Sequence, residues 1–271
     1  MKATIATLHV YPVKSARAID LQSAVLTDRG LKHDRGWVLV DARGRFQTQR
    51  ELPQLATLRV TPMGQRLLLE AGAARCELDL HASGPVREVR VWQSDCLGID
   101  CGDDVAAWLG AQLGQPLRLL RFDPSRPRLS DPAWTGAVRA GNAFSDGYPL
   151  LVINSASLAD LNTRLGQALP MNRFRPNLVL DGLEAWAEDR VAEFAADGVR
   201  LRPVKPCARC IIPTTDQDTG VRGSDEVLRA LRGFRFDAQV HGVTFGWNAI
   251  IVEGVGRHLS VGQELDVRWR S

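Results

Sequence analysis

Lysine is scarce in this 271-residue chain, occurring only at positions 2, 14, 32 and 205, so nearly all of its 34 basic side chains are arginines. Against 31 acidic residues the formal net charge is only +3, which leaves no global drive toward nucleic acid or a membrane surface. An arginine bias is as readily compositional as functional. No apolar run approaches the roughly 20 residues that a spanning helix needs. The N-terminus, Met1 to Val10, alternates like a strand where a signal peptide would carry an apolar core. Cysteine is sparse too: Cys76, Cys96, Cys101, Cys207 and Cys210 are odd in number and unevenly spaced, which argues against a disulfide framework. The expectation is a cytoplasmic chain with reduced thiols. Neither a Walker P-loop nor a GxGxxG occurs, and no nucleophile-elbow motif is present, so ordinary nucleotide binding and serine hydrolysis are not signalled.

What remains is an ordinary globular composition, 45% hydrophobic and 24% charged, with length for one large or two ordinary domains. Residues 5–12, 24–26, 36–40, 55–61, 66–69 and 86–91 suit extended structure, separated by turn residues at 41–44 and 62–64. Strands spaced this closely predict a small barrel or sandwich. Residues 103–114 form the first good helical pattern, with Asp103 and Asp104 at its N-terminus and Val105, Trp108, Leu109 and Leu113 on one face. Residues 117–122 read as a strand, and 123–142, rich in Pro, Arg, Ser and Gly, as a long surface loop. A second helix is predicted over 155–167, N-capped by Ser155 or Ser157. Strands at 178–180 and 199–204, a helix at 224–232 and strands at 245–252 and 264–269 complete the chain. There is no internal repeat. The fold class is mainly β (α+β): two β-barrel-like units with a few peripheral helices.

The most informative stretch runs from Val204 to Gly220. It sets Cys207 and Cys210 three residues apart beside Lys205 and Arg209, followed by Thr214, Thr215, Asp216, Asp218 and Thr219. Nearby positive charge lowers a thiol's pKa, and a thiolate is both a nucleophile and a soft-metal ligand. A structural zinc site wants four ligands, and no second CxxC exists. A thioredoxin-type dithiol caps a helix, whereas Ile211-Ile212-Pro213 is an extended, β-branched continuation. The motif alone leaves zinc, redox dithiol and soft-metal ligand open.

Other chemistry-bearing segments are Tyr11-Pro-Val-Lys-Ser15, which ends the first strand with Lys14 and Ser15; His33-Asp-Arg-Gly-Trp37, with Arg35; Thr48-Gln-Arg50; and Asn172-Arg-Phe-Arg-Pro-Asn177, with Arg173 and Arg175 around an aromatic ring. Arginine forks suit phosphate because they donate paired hydrogen bonds and stay charged. Each arginine taken singly is better explained as a solvated surface charge.

Together these segments, with Thr48-x-Arg-x-x-Pro53, Ser145-Asp146, Ser155 to Asn162, Ala187-Glu-Asp189 and Cys207-x-Arg-Cys210 through Gly220, resemble the MOSC family. The resemblance is to the branch that carries an N-terminal β-barrel domain and includes amidoxime-reducing proteins, and it is collinear over nearly the whole chain. It implies an N-terminal β-barrel domain over residues 1–122 and a MOSC domain over 123–271, with early strands able to cross into the latter. It implies a molybdenum cofactor whose metal takes the second thiolate of the motif, Cys210, with Cys207 as a neighbour. By the same carry-over Lys14, Ser15 and Arg35 fall near the pterin phosphate, and Arg175 and Asn177 in the cofactor pocket. Thr214 would hydrogen-bond around the metal or pterin, Asp216 would handle protons, and Ser145 and Asp146 would line the pocket.

The implied chemistry is two-electron reduction of amidoximes, hydroxylamines and N-hydroxylated bases to the amine or amidine. The alternative is a carrier of molybdenum cofactor or sulfur without turnover of its own. Some relatives carry a fused iron–sulfur domain. No cysteine cluster follows Cys210 here, so electrons are expected from a separate iron–sulfur, flavin or haem protein, docking near the arginine-rich loop 123–142.

Overall fold

The computed structural model describes residues 1–270. Strands make up 43% of the chain, and the architecture is mainly β, built around a closed seven-stranded barrel. Around the barrel run Leu150–Asn154, Leu178–Asp181, Lys2–Val10, Glu264–Trp269, Val191–Ala196, Val199–Ala208 and Gly242–Glu253, the last pairing back onto the first. Six of these seven pairings are antiparallel; only Leu150–Asn154 beside Leu178–Asp181 is parallel. A parallel pair cannot be joined by a tight turn, and the intervening helix Ser155–Leu165 makes the crossover.

The first strand shows how the sequence selects its inner face. Ala3, Ile5, Leu8 and Val10 are all buried, although Ile5 and Leu8 are three residues apart. A register shift between Ile5 and Thr7 inserts the extra residue that returns Leu8 to the interior. With Leu178, Leu180, Phe194, Leu201, Ala249 and Leu265 these side chains fill the barrel. Closure is tight where Gly242–Glu253 meets Leu150–Asn154. Gly246 has φ +73°, and a Cβ there would stand 2.6 Å from Ile153 Cγ1 and 2.8 Å from Val152 O, so only glycine fits.

Beside the barrel lie a four-stranded sheet (Trp37–Asp41, Leu117–Asp123, Ser94–Asp100, Val86–Val91) and a three-stranded meander (Arg59–Met63, Arg66–Ala71, Ala74–Asp79). Helix Asp103–Leu113 closes their core with Val105 and Leu109 and ends at left-handed Gly114. The chain passes from the barrel to this second region through Tyr11–Ser15, where Lys14 N–H donates to Trp37 O at 2.8 Å and Trp37 N–H to Pro12 O at 3.0 Å.

Several sequence expectations are corrected. Residues 55–61 are not one strand: Pro53, at the start of a 3-10 turn where its fixed φ is favourable, directs Pro53–Thr57 into that turn, and the strand begins at Arg59. The second helix is capped not by Ser155 or Ser157 but by Asn154, whose side chain accepts from Ala156 N–H at 3.2 Å. Ser157 instead donates to buried Glu188 at 2.8 Å. The strand expected over 199–204 continues to Ala208. Its ladder slips at Pro203/Lys205 and again at Pro206/Ala208, in keeping with prolines that have no N–H to donate. Strands Ser94–Asp100, Leu150–Asn154 and Val191–Ala196 carry no clean apolar–polar alternation and are not signalled by the sequence, whereas Ala74–Asp79 does alternate, with Ala, Cys and Leu against Arg, Glu and Asp, and is an addition to the strands expected.

The 123–142 segment is only partly a loop. It holds a short helix, Pro132–Thr135, and closes on itself: Leu129 bridges Gly141, Ser130 N–H donates to Ala140 O at 2.8 Å, and Asn142 N–H to Arg128 O at 2.9 Å. It forms a flap pinned at its neck.

Candidate functional site

A solvent-open cavity of about 260 Å³ lies where Tyr11–Ser15, the turn ending at Trp37 and the 142–147 loop meet the barrel strand Val199–Ala208. Cys210 lies on its wall, just after that strand and before the 3-10 turn Ile212–Thr214. Cys207 is on the same wall but packs against the apolar cluster around Phe174 and Phe245, and burial pushes its thiol pKa up. The two sulfurs of the motif therefore sit in different surroundings. Arg209 is not loose beside them. Its Nε and Nη2 donate to Phe245 O at 2.9 and 2.5 Å and its Nη1 to Phe174 O at 2.9 Å, clamping the cysteine turn to Gly242–Glu253.

Arg35 and Arg175 hold opposite ends of one arrangement around Tyr11. Their guanidinium carbons lie 4.1 and 4.2 Å from the Tyr11 ring centroid. The Tyr11 hydroxyl donates to Pro176 O at 3.0 Å, and burial raises its pKa to about 12. Arg35 forks onto Asp34 at 2.7 and 2.6 Å. Arg175, only 8% exposed, donates one nitrogen to Gln217 at 3.2 Å, while its Nη2 has no partner. Burial lowers the Arg175 pKa to about 10, still far above neutrality, so a full cation with a free donor lines the cavity. Four wall residues, Ser15, Arg35, Trp92 and Arg175, have positive φ (67°, 46°, 56° and 57°). Non-glycine residues adopt this region uncommonly, and such strain clusters where side chains must be aimed.

Lys14 is 5% exposed and donates to Asp146 at 2.5 Å; burial lowers its pKa. Asp146 also accepts from Trp92 Nε1 at 2.9 Å. Burial opposes its ionisation, yet the Lys14 charge and hydrogen bond, with Trp92, hold its carboxyl well below the usual range. Its side chain is solvent-reachable although deeply surrounded, as suits a group on a cavity wall. Buried Arg128, from the flap neck, fixes this loop by donating to Ala143 O at 2.8 Å, Ser145 O at 2.6 Å and Asn142 Oδ1. Ser145 lines the cavity with its hydroxyl 3.3 Å from Asn142 Oδ1.

Ser15 and Asn177 are also on the wall. The Ser15 carbonyl accepts from Gln49 at 2.8 Å. The Asn177 amide is engaged in the barrel, donating to His9 O at 3.1 Å and accepting from Leu151 N–H at 3.1 Å. Thr214 and Asp216 are not among the lining residues. The Thr214 hydroxyl donates to Ile211 O at 2.8 Å. Asp216 accepts from the backbone of Thr219 (2.9 Å) and Asp218 (3.0 Å), which lowers its pKa, and reaches the cavity only through Arg173, at 2.9 Å. The wall gains Arg50, Trp92, Tyr148, Arg173, Lys205 and Asn248. Arg50 and Arg173 were visible as cations near other motifs. Trp92, a lone tryptophan in a turn, and Arg128 gave no sequence signal.

Among the described residues no three His, Cys, Asp or Glu side chains gather as a metal cage. A metal held here would have to bring most of its own ligands. The wall carries Lys14, Lys205 and five arginines against one carboxylate, Asp146, which suits an anionic group.

Residues 2–116 match the MOSC N-terminal beta barrel domain and residues 140–266 the MOSC domain. The chain is 36% identical over 242 residues to mitochondrial amidoxime-reducing component 1 of Homo sapiens, covering 86% of this chain and 72% of that protein. The chain belongs to the MOSC family. Other similar MOSC proteins are component 1 of Mus musculus, 35% identical over 243 residues (86% and 71% covered), and component 2 of Rattus norvegicus, 34% identical over 244 (86% and 72%). No helix among the described residues of this MOSC protein is long and apolar enough to cross a membrane.

Proposed function

We propose that this protein is an oxidoreductase that reduces N-hydroxylated compounds to the amine or amidine, using a molybdenum cofactor held through Cys210. The observation that carries this reading is one wall on which the Cys210 thiol stands with the unpartnered guanidinium nitrogen of buried Arg175. A soft thiolate suits molybdenum, and the free arginine donor, with Ser15, Lys14 and Arg35, suits the phosphate of a pterin. These residues fit the group. Bound there, it would supply the two-electron chemistry that cleaves an N–O bond, with the oxygen leaving as water.

The chain's own residues do the rest. Cys210 provides the protein ligand, and Arg209 locks its turn. Asp146, kept ionised by Lys14, accepts hydrogen bonds at the wall that Ser145 shares. Asn177 holds the strand junction beneath Arg175, and Thr214 holds the turn after Cys210. Asp216 sets Arg173 on the wall through their ion pair. Electrons would come from a separate iron–sulfur, flavin or haem protein.

The test is elemental analysis of wild type and Cys210→Ala from a cofactor-competent host, followed by turnover of an amidoxime with an artificial donor. Near-stoichiometric molybdenum in the wild type, lost in the variant, with reduction of the amidoxime, is expected. Molybdenum without turnover would make the protein a carrier, and zinc in its place would overturn the cofactor assignment.

A further inference from the structure

Of the seven cations on the cavity wall, three are ion-paired. Lys14 is paired with Asp146, Arg35 with Asp34 and Arg173 with Asp216. Arg209 is spent on backbone carbonyls, Arg50 stacks on Trp92 at 4.3 Å, and Arg175 is held by Tyr11 and Gln217 with its remaining nitrogen assigned above to the cofactor phosphate. The Lys205 ammonium forms no salt bridge among the described residues and instead faces two aromatic rings, Trp134 at 4.9 Å and Tyr148 at 5.9 Å.

Those rings come from separate places. Trp134 sits on the short flap helix capped by Asp131, which packs against Val199–Ala208. Tyr148 follows the Ser145–Asp146 loop and lines the cavity itself. Its hydroxyl has no partner, and burial, with Asp131 nearby, raises its pKa to about 12, so it remains a donor at all ordinary pH. Asn248 stands next to the lysine on the neighbouring strand, its amide 3.4 Å from Lys205 O. Two positions along the strand from Lys205 is Cys207, and Cys210 follows.

Ring faces attract the ammonium only weakly at a half-open site. That is less than a carboxylate in charge-assisted contact contributes when water is partly excluded. The corner therefore retains attraction for an anion and presents flat apolar surfaces on both sides.

We infer that Lys205, framed by Trp134 and Tyr148, is a specificity-determining residue that selects flat substrates bearing a carboxylate away from the reacting N–O group. This inference rests on the reductase reading of the same cavity and adds the substrate class. The competing role for Lys205 is structural: it could merely anchor the flap to the barrel through Trp134. That role would move stability without changing the choice between substrates.

The experiment compares benzamidoxime with 4-carboxybenzamidoxime in wild type, Lys205→Met and Lys205→Glu, by calorimetric binding to the purified protein and by kcat/KM of the loaded protein with an artificial donor. The wild type should favour the carboxylate by about tenfold, the equivalent of one partly desolvated ion pair. Lys205→Met should bring the ratio near one, and Lys205→Glu should reverse it. Both substrates meet the same loaded fraction, so the kinetic ratio is independent of cofactor content. The preference should also shrink as salt is raised. A wild-type ratio near one, or a ratio that survives Lys205→Met while thermal stability falls, would overturn the inference. Preferential binding that depends on Lys205, with neither compound reduced, would support the subsite and remove the reductase reading. Reduction of both without preference would do the opposite.

Discussion

Lys14 Nζ and Asp146 Oδ1 lie 2.5 Å apart although 132 residues separate them in the chain. The lysine is nearly fully buried and the other charges felt at its ammonium, Arg128 and Arg35, repel it. Asp146→Ala leaves that cation without its partner and should lower stability by roughly 2 kcal/mol, less than for a sealed pair because the carboxylate is open to the cavity. The double variant Lys14→Met/Asp146→Ala should lose less than the sum of the singles. Thermal unfolding of the four proteins gives the coupling, and strict additivity would show that the pair is not energetically linked.

Asp100 gives the acid limb of stability. It is 1% exposed and accepts from Arg118 (2.5 and 2.9 Å), Arg87 (2.5 Å) and Gly102 N–H (3.0 Å). Burial alone would raise its pKa, but these donors, Arg118 first, bring it down to about 2. A carboxyl whose pKa is lower folded than unfolded stabilises the fold above its unfolded pKa, near 4, and loses that contribution as pH falls through about 2. The contribution is about 2 kcal/mol at neutral pH. Asp100→Asn should flatten the decline in unfolding midpoint between roughly pH 4 and 2; an unchanged profile would move the acid-labile group elsewhere.

Tyr11 separates two guanidiniums. Tyr11→Phe removes the donor to Pro176 O and should cost about 1 kcal/mol. Tyr11→Leu also removes the ring that both arginines face and should cost clearly more, by about another 1–2 kcal/mol. Denaturant midpoints decide between these, and equal losses would reduce Tyr11 to its hydroxyl.

Asp216→Asn keeps an acceptor for Thr219 and Asp218 N–H but removes the charge opposite Arg173. The expected outcome is slower turnover of an amidoxime with molybdenum content unchanged. Turnover equal to wild type would leave Asp216 as a turn former only.

The barrel strand at 264–269 and helix 103–114 were legible because their burial alternates or repeats at the helical period along the sequence, and 178–180 as a short apolar run behind a proline and an asparagine. Leu150–Asn154 was not, since a strand buried at every position has no alternation to read. For the site, Lys14, Ser15, Arg35, Ser145, Asp146, Arg175, Asn177 and Cys210 could be named from motif resemblance, and all lie on one cavity wall. Trp92, Tyr148 and Arg128 could not, because each acts through a partner distant in sequence. Trp92 reaches Asp146, and Arg128 grips carbonyls up to Ser145 from the far side of the flap. Thr214 and Asp216, adjacent to the motif in sequence, turn behind the wall, where Asp216 supports Arg173.

The seam of the barrel has a consequence for synthesis. Lys2–Val10 finds its barrel neighbours far later in the chain, in Leu178–Asp181 and Glu264–Trp269, and only its end, Leu8–Val10, has a nearby partner in Ile19–Leu21. Nearly the whole chain must be made before its edges are covered. Until then most of its length is an apolar strand with unpaired backbone donors and acceptors, open to pairing with other nascent chains. Loss of Glu264–Trp269 would leave the facing edges of Lys2–Val10 and Val191–Ala196 open, converting a closed cylinder into a sheet prone to self-association.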